Sequence, residues 1–144
     1  MAVTVIIAQT PTEREWAFAI RRQVFVLEQK VPETRESDEY DERSLHFVAL
    51  EDGQPVGACR MRWVNPNVAK AERVAVLPSK RHSGAGRLLM EALEAQARQE
   101  QAHAIVLHAQ MPVIPFYEKL GYHVMDEPFV DAGIPHVSMK KKLI

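Results

Sequence analysis

The chain has 144 residues, a length typical of one domain that buries its own hydrophobic core. Its 18 basic and 19 acidic side chains give a net charge of -1, which excludes a global positive field for nucleic acid or an anionic membrane. Cys59 is the single cysteine, so an internal disulfide is excluded. The N-terminus lacks the basic region of a signal peptide, and no stretch of about 18 apolar residues predicts a membrane span. We therefore expect a cytoplasmic protein.

Apolar periodicity and turn residues divide the chain into strands and helices. In chain order the predicted elements are a strand over 2–8, a helix over 13–30 with Thr12 as its N-cap, strands over 45–50, 56–64 and 68–76, a helix over 85–100, a strand over 104–109, a helix over 111–121, and two closing strands over 122–125 and 135–143. Segment 32–44, PETRESDEYDERS, is charged and lacks apolar periodicity. It predicts either a solvated surface loop or a flap over a substrate.

The glycine-containing stretch RHSGAG, residues 81–86, lies where a predicted strand becomes a predicted helix. Free N–H groups and the dipole at a helix N-terminus attract anions, and glycine lets an anion approach the backbone closely. A P-loop requires Gly-Lys-Ser/Thr, but Arg87 follows Gly86 here. A dinucleotide fingerprint requires a small residue where Leu89 lies. Nucleotide hydrolysis and hydride transfer are therefore disfavoured, and the six histidines show no spacing typical of a metal site.

The pattern R-x-x-G-x-G from Arg81 to Gly86 resembles the acyl-CoA-binding signature of the GNAT superfamily of N-acetyltransferases. PFYEKLGY, residues 115–122, is similar to the late helix and turn of that superfamily. RRQVFVLEQKVP, DEYDE, GACRMR and GIPHVSMKKKL resemble its ElaA/YjcF-like branch. The resemblance implies a single domain over residues 1–144 with an α/β fold: three layers, with a mixed, mostly antiparallel central sheet flanked by helices.

The resemblance also implies acetyl-CoA as co-substrate and no metal. Its pyrophosphate would lie on the amides of residues 82–87, beside Arg81 and Arg87. Its pantetheine arm would pair with the strand edge at 74–76, where a backbone N–H near Val76 would bind the thioester oxygen. Gln110 stands where many family members have an asparagine that contacts pantetheine. The implied cofactor-binding residues are Val74, Ala75, Val76, Arg81, His82, Ser83, Gly84, Ala85, Gly86, Arg87, Gln110 and Tyr117.

Three residues are candidates for proton transfer. Tyr117 occupies the family position that protonates the CoA sulfur, and its alternative is a packed tyrosine whose hydroxyl is bound elsewhere. Glu72 is a candidate base because the strand pleat would place it on the same face as Val74; its alternative is a salt-bridged glutamate. His136 is a second candidate base, with an ordinary pKa of about 6.5, and its alternative is a structural histidine. Cys59 is expected in the core, which favours direct transfer.

The predicted function is transfer of an acetyl group to a primary amine on a small molecule or a protein. Two alternatives remain open: an acyltransferase like the acyl-homoserine-lactone synthases, which RRQVFVLEQ also resembles, and a non-catalytic CoA-binding regulatory module. Candidates for lining the acceptor site are Asp38, Glu39, Arg60, Arg62 and His136. We expect neither nucleic-acid nor membrane partners, and either a monomer or a homodimer.

Overall fold

A computed structural model describes residues 2–144 of the chain and shows one eight-stranded sheet. The strands are β1 (Val3–Ile7), β2 (Leu45–Glu51), β3 (Gln54–Asn65), β4 (Val68–Val76), β5 (Ala104–Gln110), β6 (His123–Val124), β7 (Phe129–Asp131) and β8 (Ile134–Lys142). Their order is β1-β2-β3-β4-β5-β8-β6, and β7 pairs with β8. Only the β4–β5 pair is parallel among these strands. The predicted mixed, mostly antiparallel sheet is confirmed.

The helices are α1 (Pro11–Arg21), α2 (Glu33–Glu36), α3 (Ala85–Gln99) and α4 (Ile114–Lys119). Helix α1 continues directly into a π-helical segment, Arg22–Glu28, and short 3₁₀ turns span Glu39–Arg43, Pro78–Lys80 and Met111–Val113. The N-cap of α1 is Thr10, because its hydroxyl accepts from the Glu13 amide at 3.1 Å in a capping box. The N-cap predicted at Thr12 is therefore wrong by two residues, since Pro11 already occupies the first turn.

Two hydrophobic clusters cover opposite faces of the sheet. On one face Leu89, Met90 and Leu93 of α3 pack on the larger cluster, which includes strand residues such as Ile105 and Leu107. On the other face α1 and the π-helical segment pack on a smaller cluster; its buried members are Ala17, Ile20, Val24, Val48, Ala58 and Ala75. The sheet therefore lies between two helical layers, as the three-layer arrangement requires.

Strands β4 and β5 separate towards their carboxyl ends. Their parallel pairing runs from Val68 and Ala104 to Ala71 and Leu107, although both strands continue beyond these residues. In β4 the register with β3 shifts near Arg73, whose φ of 55° lies in the left-handed region. Such a bulge bends a strand. It contributes to the opening between β4 and β5, hereafter the gap.

Candidate active site

A cavity of ≈ 800 Å³ takes its walls from both faces of the sheet at the gap. The residues on the side of α3, called the α3 half, include Gly84, Gly86, Arg87, Phe116 and Tyr117. The residues on the side of α1, called the α1 half, include Gln29, Arg35, Glu72, His108, Gln110 and His136. The gap thus connects a glycine loop on one face with titratable side chains on the other.

The glycine loop leaves backbone N–H groups free at the start of α3. The first amide bonded into the helix is that of Leu88, which donates to the Gly84 carbonyl at 3.0 Å. Within the described chain, the amides of Gly86 and Arg87 have no acceptor. Gly84 has a φ of 91°, and a Cβ at Gly86 would lie 3.3 Å from Cζ of Phe116. The left-handed φ of Gly84 and the close approach of Phe116 to Gly86 both favour glycine, and the free amides suit the loop to an anion.

Both arginines beside this loop hold carboxylates. Arg81 donates two hydrogen bonds of 2.7 Å to Glu28, and its Nε donates to the Val76 carbonyl at 3.1 Å. The hydrogen bonds from Arg81 keep the pKa of Glu28 below its ordinary value. Arg87 pairs with Glu91 at 2.9 Å. Each arginine can bind a phosphate only by sharing or releasing its carboxylate.

Gln110 is also occupied. Its side-chain amide exchanges hydrogen bonds of 2.9 and 3.3 Å with that of Gln29, the residue that caps the π-helical segment. Glu28 and Gln29 are consecutive, so this segment contacts two of the predicted cofactor residues. Sequence reasoning missed Glu28 and Gln29, because their partners Arg81 and Gln110 are more than fifty positions away in the chain.

Tyr117 lies in the α3 half with its hydroxyl free. The side chain is 6% exposed, and its ring packs edge-on against Phe116 and Tyr122. Burial raises the pKa of Tyr117, so the phenol stays protonated. None of the residues 2–144 hydrogen-bonds this hydroxyl, whereas Tyr122 donates to Glu94 at 3.1 Å. Tyr117 therefore presents a protonated hydroxyl, unbound by residues 2–144, to the cavity.

Glu72 is held by three cations. Its carboxylate contacts Nε of Arg62 at 2.7 Å, a terminal nitrogen of Arg60 at 3.0 Å and Nζ of Lys70 at 3.2 Å. Burial disfavours the ionised carboxylate, but the Arg62 hydrogen bond and the neighbouring charges outweigh it and lower the pKa of Glu72. A carboxylate stabilised in this way is a weak base. These contacts agree with the salt-bridged alternative.

The expected alignment of Glu72 with Val74 is wrong. Ala71 and Val74 both face the larger cluster, whereas Glu72 lies opposite Arg60 on the α1 face. The alternation of a regular strand would put residues 72 and 74 on one face. The bulge at Arg73 changes this alternation, so Glu72 and Val74 face opposite sides.

His136 lies in the α1 half and is 9% exposed. Its Nδ1 is 2.7 Å from the Ile134 carbonyl, which can only accept, so Nδ1 carries a proton. In the neutral ring the lone pair is therefore on Nε2. The ring stacks on Phe129 with centroids 5.7 Å apart.

Most of the predicted acceptor-site residues instead form an ion-pair network. Arg60 is 1% exposed and binds Asp38 at 2.7 Å and Asp41 at 2.8 Å, and Arg21 binds Glu36 and Asp41. This network ties segment 32–44 to the sheet through Glu36, Asp38 and Asp41, whereas most of the other residues of the segment are exposed, as a surface loop predicts. Unlike His136, four of the candidates lie outside the cavity lining: Asp38, Glu39, Arg60 and Arg62.

Two further findings concern the described residues 2–144. They contain no cluster of three His, Cys, Asp or Glu side chains that could hold a metal ion. None of their helices is long and apolar enough to cross a membrane.

Comparison with known families identifies a match over nearly the whole chain. A family model described as an acetyltransferase (GNAT) domain matches residues 7–143. The uncharacterized N-acetyltransferase YjcF of Bacillus subtilis is 43% identical over 137 residues, which cover 94% of this chain and 97% of YjcF.

Solved structures agree with this match. A putative N-acetyltransferase from Lactobacillus plantarum is 30% identical, with a TM-score of 0.91 and full coverage of both chains. Escherichia coli ElaA has a TM-score of 0.85 at 20% identity, covering 98% of this chain and 99% of ElaA. An aminoglycoside 6'-N-acetyltransferase complexed with coenzyme A has a TM-score of 0.78 at 16% identity, covering 100% of this chain and 98% of that one. The predicted resemblance to the ElaA/YjcF-like branch is confirmed.

Proposed function

Since the chain belongs to the GNAT family of acetyltransferases, we propose that it acts as a single domain that transfers an acetyl group from acetyl-CoA to a primary amine. The observation that carries this proposal is the cavity at the gap, which joins an anion-binding helix N-terminus to a half lined by histidines. The acceptor amine belongs to a small molecule or a protein, and it enters from the α1 half.

The cofactor occupies the α3 half and the gap. The glycine loop over residues 82–87 receives the pyrophosphate, chiefly through the free amides of Gly86 and Arg87, because the amides of Ser83 and Ala85 already donate to Lys80 and Ser83 at 3.3 Å. A structural neighbour complexed with coenzyme A shares this fold. Leu77 donates to the Val56 carbonyl on β3, so the alternation of an antiparallel pair turns the N–H of Val76 towards the gap. That edge is open to pantetheine, because β4 has no pairing with β5 beyond Ala71.

The acetyl group passes to the amine by direct attack. The nitrogen lone pair forms a C–N bond with the thioester carbon, and the N–H of Val76 donates to the oxyanion. As the C–S bond breaks, Tyr117 protonates the sulfur, because burial raises the pKa of its phenol and so keeps the proton on its oxygen until the thiolate forms. Cys59 is buried and burial raises the pKa of its thiol, which opposes an acyl-cysteine route.

The acceptor arrives as an ammonium with a pKa of about 10 and must lose a proton before it attacks. Glu72 is a poor base because three cations hold its carboxylate. The proton therefore goes to a histidine of the α1 half. The sequence predicted His136, whose Nε2 keeps its lone pair.

The first test is isothermal titration with acetyl-CoA, free CoA and a longer acyl-CoA. Gly84→Glu and Gly86→Glu place a carboxylate in the loop, and we expect each to weaken CoA binding more than tenfold. The matched control is Ala95→Glu, which adds the same charge at an exposed position of α3. No binding of any of these ligands by the wild-type protein overturns the proposed function.

An amine screen that follows released thiol tests the reaction itself. Turnover with acetyl-CoA and a primary amine supports the acetyltransferase. Preference for the longer acyl-CoA favours the synthase-like alternative, and tight CoA binding without turnover favours a regulatory module.

A further inference from the structure

His108 is a histidine of the α1 half that sequence reasoning did not select. The last paired residues of β4 and β5 are Ala71 and Leu107, so His108 is the first β5 residue that borders the gap. Its neighbours Leu107 and Ala109 face the larger cluster. The alternation of the strand therefore points the His108 side chain into the α1 half, where it lines the cavity.

The His108 ring is supported on one side and open on the other. Its edge packs on Phe129, with ring centroids 4.9 Å apart, and Phe129 stacks in turn on His136. Among residues 2–144, no group hydrogen-bonds either ring nitrogen of His108, whereas Nδ1 of His136 is bound to a carbonyl. His108 is also the more exposed of the two histidines, so it can exchange protons with water.

We propose that His108 is a further catalytic residue: it takes the proton from the acceptor ammonium and returns it to solvent. This proposal rests on the proposed acetyl transfer and specifies its acceptor side. His136 lies one strand farther from the gap, at the β8 position paired with Gln110. We assign His136 a positioning role, since its fixed ring supports Phe129 against His108.

The protons balance as follows. The neutral imidazole of His108 removes one proton from R–NH3⁺, and the resulting amine forms the C–N bond as the C–S bond breaks. The nitrogen then loses a second proton, which replaces the one that Tyr117 gives to the CoA sulfur. One proton leaves through His108 to water, and the other ends on the thiol.

The charges around His108 favour its neutral, proton-accepting form. The titratable groups near it are Lys70 and Glu72 of β4, Asp131 of β7 and His136 of β8. The partial burial of the ring against Phe129 first, and then the positive charge of Lys70, lower the pKa of His108, while Glu72 and Asp131 partly oppose this shift. At neutral pH the imidazole is thus unprotonated and ready to accept.

The test uses two small nucleophiles that differ in their need for a base, and each variant is compared with the wild type on the same nucleophile. The probes are n-butylamine, an ammonium with a pKa of about 10, and hydroxylamine, which is already neutral at pH 7.5. For His108→Gln we expect about a hundredfold loss of kcat/KM with butylamine and a change of only a few-fold with hydroxylamine. Acetyl-CoA binding should stay unchanged. His123→Gln, at an exposed position of β6, is the matched control.

The pH profile gives a second readout that a purely structural role would not move. With butylamine, wild-type kcat/KM should rise through a pKa below 6.5, and this limb should disappear in His108→Gln. The proposal is overturned if His108→Gln loses activity equally with both nucleophiles or loses none with either. It is also overturned if the butylamine-selective loss occurs in His136→Gln instead. A wild-type enzyme that acetylates hydroxylamine but not butylamine overturns it as well. A wild-type protein that acetylates neither, or does not bind acetyl-CoA, overturns the proposed function itself.

Discussion

The carboxylate of Glu28 accepts two hydrogen bonds of 2.7 Å from the guanidinium of Arg81. This is the two-pronged geometry with which arginine also binds phosphate. Arg81 follows β4 and Gln110 ends β5, so Glu28 and Gln29 bind partners on both sides of the gap. Glu28 and Gln29 therefore bind two side chains, Arg81 and Gln110, that the family resemblance assigns to the cofactor.

Glu28→Gln is therefore expected to tighten CoA binding. The ion pair is more than a third exposed, so screening limits its contribution to at most about 1 kcal/mol, and we expect a two- to fivefold decrease in Kd at low salt. Titration calorimetry measures it directly. Glu33→Gln is the matched control, because it breaks the exposed Arg22–Glu33 pair without freeing a predicted cofactor residue. Unchanged or weaker CoA binding in Glu28→Gln would show that Arg81 is not needed in its released form.

Tyr117→Phe should lower kcat without lowering stability. Its hydroxyl bonds no group of the described chain, so its removal leaves no buried partner unsatisfied, while loss of a general acid typically costs about a hundredfold in rate. Tyr122→Phe is the matched comparison, since it removes a hydrogen bond to the buried Glu94 and should destabilise by about 1–2 kcal/mol. Urea unfolding and acetyl transfer are measured on both. The reverse pattern would place Tyr117 in a structural role.

The sequence predicted the parts of the site that depend on local geometry. The strand, glycine loop and helix around Gly84 and Gly86 form one short segment, and composition and spacing indicate it directly. The faces of β4 were not predictable in this way. An arginine at a φ of 55° has no local sequence signal, yet the bulge at Arg73 decides that Glu72 and Val74 lie on opposite faces.

Long-range pairing explains what the sequence analysis missed. The charges of segment 32–44 look solvated in the sequence, and only the folded chain brings Asp38 and Asp41 to Arg60. His108 lies in an apolar run that predicts a buried strand. Its place beside the gap follows from where the pairing with β4 ends, which periodicity does not reveal.

Arg60→Met should destabilise the protein strongly. Arg60 is nearly fully buried and binds Asp38, Asp41 and Glu72, so its removal leaves three carboxylates without their shared cation. Breaking one side of a buried ion pair typically costs about 3–5 kcal/mol. Arg22→Met, which removes the cation of an exposed pair, should cost less than about 1 kcal/mol. Urea unfolding measures the free energy of unfolding of the two variants. Equal losses in both would mean that the ion-pair network contributes little to stability.

Stability should fall in acid through two separate groups. His46 is buried, its Nε2 lies 2.8 Å from the Asp41 carbonyl, and its Nδ1 has no partner. Burial lowers the pKa of His46 from its ordinary 6.5, so the unfolded chain binds this proton more readily than the folded one. The contribution of neutral His46 to the free energy of unfolding is therefore complete above pH 6.5, and it is lost as the pH falls through the pKa of the folded state. Burial opposes ionisation of Asp41, but the guanidinium groups of Arg21 and Arg60 outweigh it and lower the pKa of Asp41 from 3.8 to about 2. The contribution of ionised Asp41 to stability is therefore lost only as the pH falls from about 3.8 to about 2.

The variant His46→Phe separates the pH range in which His46 acts from the lower range in which Asp41 acts. The phenylalanine ring keeps the edge-on packing against Phe18 but cannot take up a proton. Urea midpoints measured from pH 8 to pH 5 should fall in the wild type and fall less steeply in His46→Phe, with a residual slope from His108, whose pKa is also lowered. His103→Gln, at an exposed position, should keep the wild-type slope. An unchanged slope in His46→Phe would mean that the buried imidazole does not control stability between pH 8 and pH 5. Loss of stability below pH 4 should persist in every variant, because Asp41 remains.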